Sequence, residues 1–549
     1  MKRKNLVCGI LLFTTILTAC GSQKVDSTEP AYYEYPASVA YSTGADYCYE
    51  PAYSESYAKN SVADCYEYPE YFEPGNFNTE EYSSIKESSF LKTLTSPLST
   101  FAADVDTASY ANFRRMVNSG YKLNDFPSGA IRTEEMINYF KYDYAKPEGD
   151  EPFGVTAVVG DCPWNADVKL LNIGITTNDM DAYDIPSSNI VFLIDVSGSM
   201  MDDNKLPLIV DSMELLIENF GKDDRISIVT YASGTKVVLN GERGDHRDKI
   251  MNAFRSLRAG GSTNGSGGIT LAYETAEENF IEDGVNRVII CSDGDFNVGL
   301  TSQSELQDLI EKEKETGVFL SVLGFGMYNF SDTNMETLAD WGNGNYAYID
   351  TLNEAKKVLV DEMTSTFVTV AKDVKFQVEF NPATVSEYRL VGYENRAMAA
   401  EDFTDDTKDG GELGAGHQVT VLYEIALANG AADGIELKYQ DTPNLSSKGA
   451  DSDEYCTLSI AYKAPDGDTS SYLEFPIGTD NYTKTPSDDF LFAACVAETS
   501  LALRSSEFLK DPTPVNALEH VKRYLSDRKD LTDYQEEFEE LVTKLEVSR

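Results

Sequence analysis

The sequence predicts an α/β protein: a doubly wound, mostly parallel sheet, inserted in or followed by a β-sandwich, with a helical C-terminal part. Three observations carry this. Ile190-Val191-Phe192-Leu193-Ile194 is a near-continuous apolar run of strand length, rich in β-branched residues, the pattern of a strand buried on both faces. From Asn189 to about Asp373, such runs alternate with stretches of helical periodicity, the order of a parallel sheet crossed by helices. After Lys372 the pattern changes to short alternating strands and then to three helical stretches.

The chain begins with a basic start (Lys2, Arg3, Lys4), an apolar core from Leu6 to Leu17, and Leu17-Thr18-Ala19-Cys20-Gly21. This is a secretory signal, residues 1–19, whose apolar run is too short to span a bilayer. The end of it resembles a bacterial lipobox, which implies cleavage before Cys20 and acylation of that cysteine; ordinary cleavage after Ala19 is the alternative. The resemblance places the protein on the extracytoplasmic face, at the cell surface or in the periplasm, and touching the membrane only through its N-terminal lipid. Residues 20–77 are rich in Tyr, Glu, Pro and Ser, with Tyr33-Glu34-Tyr35-Pro36 recurring as Tyr66-Glu67-Tyr68-Pro69. Such a stretch cannot bury a core and reads as a spacer, reaching up to about 190 Å at about 3.3 Å per residue. Cys48 and Cys65 in it are the one candidate disulfide; Cys291, Cys456 and Cys495 lie in apolar elements, where a thiol is a small hydrophobe.

Residues 78–188 carry two amphipathic helical stretches, Asn112–Val117 and Arg132–Phe140, and two strands, Phe153–Val159 and Leu170–Thr176. If those strands join the later β region, the central domain is an insertion in it. Asp104 and Asp106 precede the first helix and read as helix-capping and turn-forming residues, with metal coordination as the alternative.

Residues 189–371 hold the site. The strand ending in Asp195 is followed by Ser197 and Ser199, and in open α/β sheets ligands bind just past the carboxyl ends of the strands. These are hard oxygens, suited to Mg²⁺, Mn²⁺ or Ca²⁺. The plainer alternative is a turn and helix cap. Downstream come helix Lys205–Phe220, strands Arg225–Tyr231 and Lys236–Leu239, helix Asp245–Leu257, the loop Gly260-Gly261-Ser262-Thr263, helix Ile269–Phe280 and strand Arg287–Cys291 leading to Ser292-Asp293. Helix Ser304–Thr316, strand Val318–Leu323, helix Asn334–Asp340 and strand Asn345–Ile349 complete the alternation.

Asp195-x-Ser197-x-Ser199, then Thr263, then Asp293, each after its helix and strand interval, resembles the three-part metal-ion-dependent adhesion site of von Willebrand factor type A domains, a Rossmann-like fold. The resemblance implies that Asp195, Ser197, Ser199, Thr263 and Asp293 hold Mg²⁺ (or Mn²⁺ or Ca²⁺), and that a last helix, Asn353–Val370, ends the domain. Two carboxylates and three neutral hydroxyls leave such an ion electrophilic and open to a partner's carboxylate. Met200-Met201-Asp202-Asp203 is similar to an integrin β-type sequence that supplies an adjacent cation site, which implies Asp202 and Asp203 as further ligands; solvated acids at a helix N-terminus are the alternative. Asp295 and Asn297 add oxygen donors on the rim.

In residues 372–486 the alternation predicts strands Val374–Phe380, Tyr388–Tyr393, His417–Ile425, Gly434–Tyr439, Cys456–Tyr462 and Ser471–Phe475. Residues 487–549 read as helices Asp488–Arg504, Pro514–Leu525 and Leu531–Leu545, the last with an apolar stripe for packing on its own domain. The order of these regions, with Cys162-Pro163-Trp164-Asn165, Gly294 to Gly299 and Gly342-Asn343-Gly344-Asn345, resembles a family of bacterial type A domain lipoproteins.

Lys plus Arg number 45 against 92 Asp plus Glu, a net charge of −47, which argues against nucleic acid or anionic lipid as a direct partner. The three histidines, His246, His417 and His520, form no metal-hydrolase pattern, and neither a G-x-S-x-G nor a P-loop lysine is present. The reading is therefore a non-enzymatic, lipid-anchored binding protein whose cation engages an exposed Asp or Glu of a protein partner. A structural envelope assembly factor is the alternative, and a hydrolase the least favoured.

Overall fold

The computed structural model describes residues 80, 82, 84–127, 129–149, 151–180, 185–262, 266–294, 303–314, 316–326, 332–428, 452–465, 467–509 and 513–546. Cys20, Cys48, Cys65, Asp295, Asn297, the spacer and the strand expected at Gly434–Tyr439 lie outside them.

The first elements are β1 (Leu91–Lys92), β2 (Leu98–Ala102), α1 (Ala108–Asn118), α2 (Thr133–Asn138), β3 (Phe153–Asp161) and β4 (Lys169–Thr177). The chain then enters the central domain with β5 (Ser188–Asp195), α3 (Leu206–Ile217), β6 (Arg225–Tyr231), β7 (Thr235–Arg243), α4 (Arg247–Arg255), α5 (Ser266–Glu278) and β8 (Val285–Ser292). It continues through α6 (Gln303–Lys314), β9 (Phe319–Phe325), α7 (Asp332–Trp341), β10 (Tyr346–Ile349), α8 (Leu352–Lys356) and α9 (Met363–Phe367). Strands β11 (Thr369–Phe380), β12 (Val385–Val391), β13 (Ala397–Met398), β14 (Gly411–Gly414), β15 (Gln418–Leu427), β16 (Glu454–Lys463) and β17 (Ser471–Gly478) follow. Helices α10 (Asp488–Leu503), α11 (Pro514–Ser526) and α12 (Asp533–Lys544) close the fold.

The central sheet has the order β10-β9-β8-β5-β6-β7. Its pairings are parallel apart from the edge strand β7, which runs antiparallel to β6. β5 shows why its sequence is apolar throughout: Ile190, Phe192 and Ile194 face one core, and Val191 and Leu193 face the other. A strand covered by helices on both sides has no wet face on which to alternate.

Two further sheets, β1-β12-β15-β4-β3 and β13-β2-β11-β16-β17 with β14 on β11, form the sandwich. Leu171, Ile173 and Ile175 of β4 share its core with Phe376, Val378 and Phe380 of β11. The strands before the central domain thus complete the sheets that follow it, and of the two arrangements the sequence allowed, the structure has the insertion. The outer face of the first sheet, at Leu170 and Leu422, is covered by helices from both ends of the chain, with Phe113, Phe140, Phe492 and Phe538 in one core. The stripe of α12, Phe538 and Leu541 followed by Leu545, packs there, on its own domain. Trp164 is fully buried and donates its indole N–H to Glu424 at 2.6 Å.

Two expectations need correction. Asp104 and Asp106 do not cap α1, whose N-cap residue Thr107 makes no side-chain cap hydrogen bond. A turn does form, Asp106 N–H donating to Asp104 Oδ1 at 3.0 Å, but both carboxylates face Arg396, at 3.1 and 3.3 Å, and Asp106 also accepts from Tyr346 N–H. Instead of one helix over Asn353–Val370, α8 and α9 flank a π-helical turn, Lys357–Asp361, in which Glu362 N–H reaches back to the Lys357 carbonyl at 2.8 Å. The β-branched Val358, Val360, Thr364 and Thr366 make this a poor helix, and the chain becomes strand already at Thr369. β2 is not expected from the sequence, and Leu98–Ala102 is a strand through its pairing with β11. The described cysteines, Cys162, Cys291, Cys456 and Cys495, are buried and free.

His417, buried at the start of β15, accepts the Gly414 N–H on Nδ1 at 2.9 Å, so its ring is neutral in the fold. Burial, with Lys141 nearby, pushes its pKa down to about 3. A depressed histidine contributes stability that is present above its unfolded pKa of about 6.5 and is lost as pH falls below it. Denaturant melts at pH 7 and pH 5 should therefore show wild type losing about 2 kcal/mol more than His417→Gln on acidification; equal losses would contradict this.

Candidate metal centre

The carboxyl end of β5 lies between those of β6 and β8, and the chain leaves it tethered, Val196 N–H donating to the Tyr231 carbonyl at 3.0 Å. Asp195, the last residue of the strand, is fully buried. Its Oδ1 accepts the Ser197 N–H at 2.7 Å, whereas Oδ2 is buried without a hydrogen bond of ordinary geometry. The Tyr231 hydroxyl and the Ser197 N–H favour its charged form, but burial outweighs them and, with the charge of Asp293, pushes its pKa up to about 6. A carboxylate with an unmet oxygen in so dry a place is unstable until a positive charge arrives.

Ser197 and Ser199 face each other, Oγ to Oγ, at 3.0 Å. Ser197 is the N-cap residue of the 3₁₀ turn Gly198–Met201 and its side chain caps nothing, while Asp195 accepts the Ser197 N–H, the part of the plainer turn reading that the structure has. Asp293 follows β8, fully buried, and its Oδ2 takes the Lys205 ammonium at 2.9 Å. Lys205 is itself buried, although it directly precedes the helix opening Leu206-Pro207-Leu208. Sequence reasoning missed it, because a lysine at a helix start, after Asp202, Asp203 and Asn204, is ordinarily solvated.

The second loop docks on the first. Gly260 N–H donates to the Val196 carbonyl at 2.8 Å, and Gly198 N–H to the Gly261 carbonyl at 3.0 Å. Ser262 N–H donates to Ser233 Oγ at 2.9 Å. Gly261 has φ +89°, and a Cβ there would sit 2.5 Å from Ser233 Oγ, so only glycine fits. The loop is thus fastened beside Ser197 up to residue 262; Thr263 lies outside the described residues. Asp202 and Asp203 are exposed ahead of α3, the Asp202 carbonyl accepting the Lys205 N–H at 3.0 Å.

Two buried carboxylates, two facing hydroxyls and an unmet oxygen suit a hard divalent cation, with Lys205 lowering the negative charge offered to it. Asp195, Ser197, Ser199 and Asp293 are the described residues able to hold one.

Family models match three consecutive stretches: one described as von Willebrand factor over residues 76–172, the von Willebrand factor type A domain over 189–361, and the C-terminal part of uncharacterized protein YfbK over 365–547. Protein YfbK of Escherichia coli (strain K12) is 40% identical over 476 residues, 85% of this chain and 81% of that protein. Protein sll0103 of Synechocystis is 26% identical over 167 residues, covering 30% of this chain and 39% of its own. Inter-alpha-trypsin inhibitor heavy chain H2 of Mus musculus is 27% identical over 184 residues, 31% of this chain and 19% of that protein. Among solved structures, a von Willebrand factor type A protein of Catenulispora acidiphila matches with TM-score 0.39 and 13% identity, covering 75% of this chain and 99% of that one.

Removing the carboxylate that Lys205 contacts leaves a buried ammonium without it, a loss of about 3 to 5 kcal/mol. Asp293→Ala should therefore unfold at clearly lower denaturant concentration than wild type in metal-free buffer, and Lys205→Met with Asp293→Ala should recover most of the difference. If the double variant is no better than the single one, the pair is not coupled.

Proposed function

Because this chain belongs to the YfbK family of von Willebrand factor type A domain proteins, we propose that it is a binding protein that takes up a divalent cation at Asp195, Ser197, Ser199, Thr263 and Asp293 and through it engages an Asp or Glu of a protein partner. Type A domains typically mediate protein–protein interaction. The observation that supports the cation is the buried Asp195 Oδ2 without a hydrogen bond of ordinary geometry, beside two hydroxyls that face each other. Mg²⁺ is the expected ion, with Mn²⁺ or Ca²⁺ as substitutes. When bound, it supplies an electrophilic coordination position for a carboxylate.

Lys205 sets the strength of that position. Its ammonium on Asp293 leaves the cluster one net negative charge from two carboxylates, which weakens cation binding and keeps a bound ion hungry for an outside anion. We further propose that Cys20 carries a lipid anchor and residues 20–77 a tether, so that the site works outside the cytoplasm. The same Lys205–Asp293 pair favours a second reading, an envelope scaffold in which lysine replaces the ion.

Calorimetric titration with Mn²⁺ separates the two. The proposal expects saturable binding that Asp195→Ala abolishes while the fold is retained, and that Lys205→Met tightens about tenfold or more as a nearby positive charge is removed. Affinity unchanged in Asp195→Ala removes the cation reading and leaves the scaffold.

A further inference from the structure

A cavity of about 720 Å³ lies at the amino ends of β8 and β9, opposite the strand tips, where the inserted domain joins the sandwich. Pro186, on the way into the domain, and Val368, on the way out, both line it. One wall is apolar and accessible. Phe280 is 44% exposed, and Ile281, Phe319 and Pro465 are not fully covered either. Rings left open at a junction between two domains, around a space of this size, are the usual lining of a small-molecule site.

The other wall is basic. In a chain of 45 Lys plus Arg against 92 Asp plus Glu, three lysines line this one cavity, Lys314, Lys372 and Lys463. Two of them are met. Lys314, the last residue of α6, donates to Asn343 Oδ1 at 3.1 Å and to Asp409 Oδ2 at 3.0 Å. Lys463 pairs with Asp373 at 2.8 Å, an acid that Lys375 also contacts at 3.2 Å. Lys372 is left over. It is half-buried, stands directly opposite Lys463 across β11 and β16, and makes no side-chain hydrogen bond or ion pair with a described residue. Like charges directly opposite on paired strands destabilise a sheet. The register of β11 also shifts between Lys372 and Lys375, as at a bulge, a device that re-aims side chains. Two further acids on the lining, Asp283 and Asp468, are exposed, where salt screens them.

We infer that this cavity binds a small carboxylic acid with an aromatic body, its carboxylate on the Lys372 ammonium and its ring against Phe280 and Phe319. The two walls together select that combination. An organic cation would meet Lys372 and Lys463, and a bare inorganic anion would leave Phe280 in water and most of the space unfilled. A carboxylate on an ammonium is a charge-assisted contact, and an offset or edge-on ring contact adds to the apolar area buried. Because the walls come from both the inserted domain and the sandwich, an occupant touches both. The inference does not depend on the cation proposed at Asp195, which lies at the other end of the strands.

The test is calorimetric titration of the full chain, in chelator, with phenylpropionate, with the uncharged phenylpropanol and with phenylpropylamine. The expected result is saturable binding of the acid, about tenfold or more tighter than the alcohol, with the amine weaker than both. Lys372→Gln should reduce the acid to the affinity of the alcohol and leave the alcohol unchanged. Its denaturant midpoint should be no lower than that of wild type, since a cross-strand repulsion is removed. Phe280→Ala, at an exposed position, should weaken acid and alcohol alike, and Asp283→Asn with Asp468→Asn should tighten the acid alone. No saturable binding of the acid, an amine that binds as well as the acid, or acid affinity unchanged in Lys372→Gln would overturn the inference.

Discussion

A carboxylate oxygen sealed at the end of a central strand has to be met by a proton or a cation, or the fold is weakened by it. Asp195 Oδ2 is such an oxygen, buried without a hydrogen bond of ordinary geometry. β5 is covered by helices on both faces, the Gly198 and Gly261 backbones close over the strand tip, and Asp293 adds a second buried acid. The one cation within the cluster, among the described residues, is Lys205, and it sits on Asp293 rather than Asp195. On the proposed reading this asymmetry is functional: the internal cation tempers one carboxylate and leaves the other to an ion from solution.

The domain carrying this cluster is an insertion, so both of its ends are fixed in one sandwich, and charged ties add to the covalent ones. Arg114 of α1, nearly fully buried, reaches Asp350 and Glu354 just past β10, together with Glu537 of α12. Tyr139 donates to the same Glu354 at 2.9 Å, and Lys357 stands over the Tyr139 ring at 4.3 Å. The last segment of the inserted domain is therefore held by helices from both ends of the chain. Any displacement of it breaks buried ion pairs, a loss of several kcal/mol where a partner is removed. Arg396 makes a second tie, between Asp104 and Asp106 on one side and Glu336 and Asp340 of α7 on the other.

What the sequence revealed depended on how local the cause was. The apolar run ending in Asp195 and the two serines after it could be read directly, since strand burial and strand-end position are written within about ten residues. The insertion was readable only as an option, because whether β3 and β4 join β15 depends on pairing across the whole central domain. Asp104 and Asp106 looked like turn and cap residues, and the arginine that claims them lies nearly three hundred residues away. Lys205 reads only as the start of a helix, because the carboxylate it meets, Asp293, lies 88 residues further along. The Gly342-Asn343-Gly344 loop presses on β9: a Cβ at Gly344 would lie 1.7 Å from the Leu320 carbonyl oxygen, a long-range contact that no local pattern announces.

The central claim concerns where an ion sits, and anomalous diffraction from crystals grown with Mn²⁺ asks that most directly. The account predicts one strong peak within coordination distance of Ser197 Oγ, Ser199 Oγ and the Asp195 carboxylate, with the Lys205–Asp293 contact still in place. A map with no peak there, in crystals whose Mn²⁺ appears elsewhere on the molecule, would contradict it.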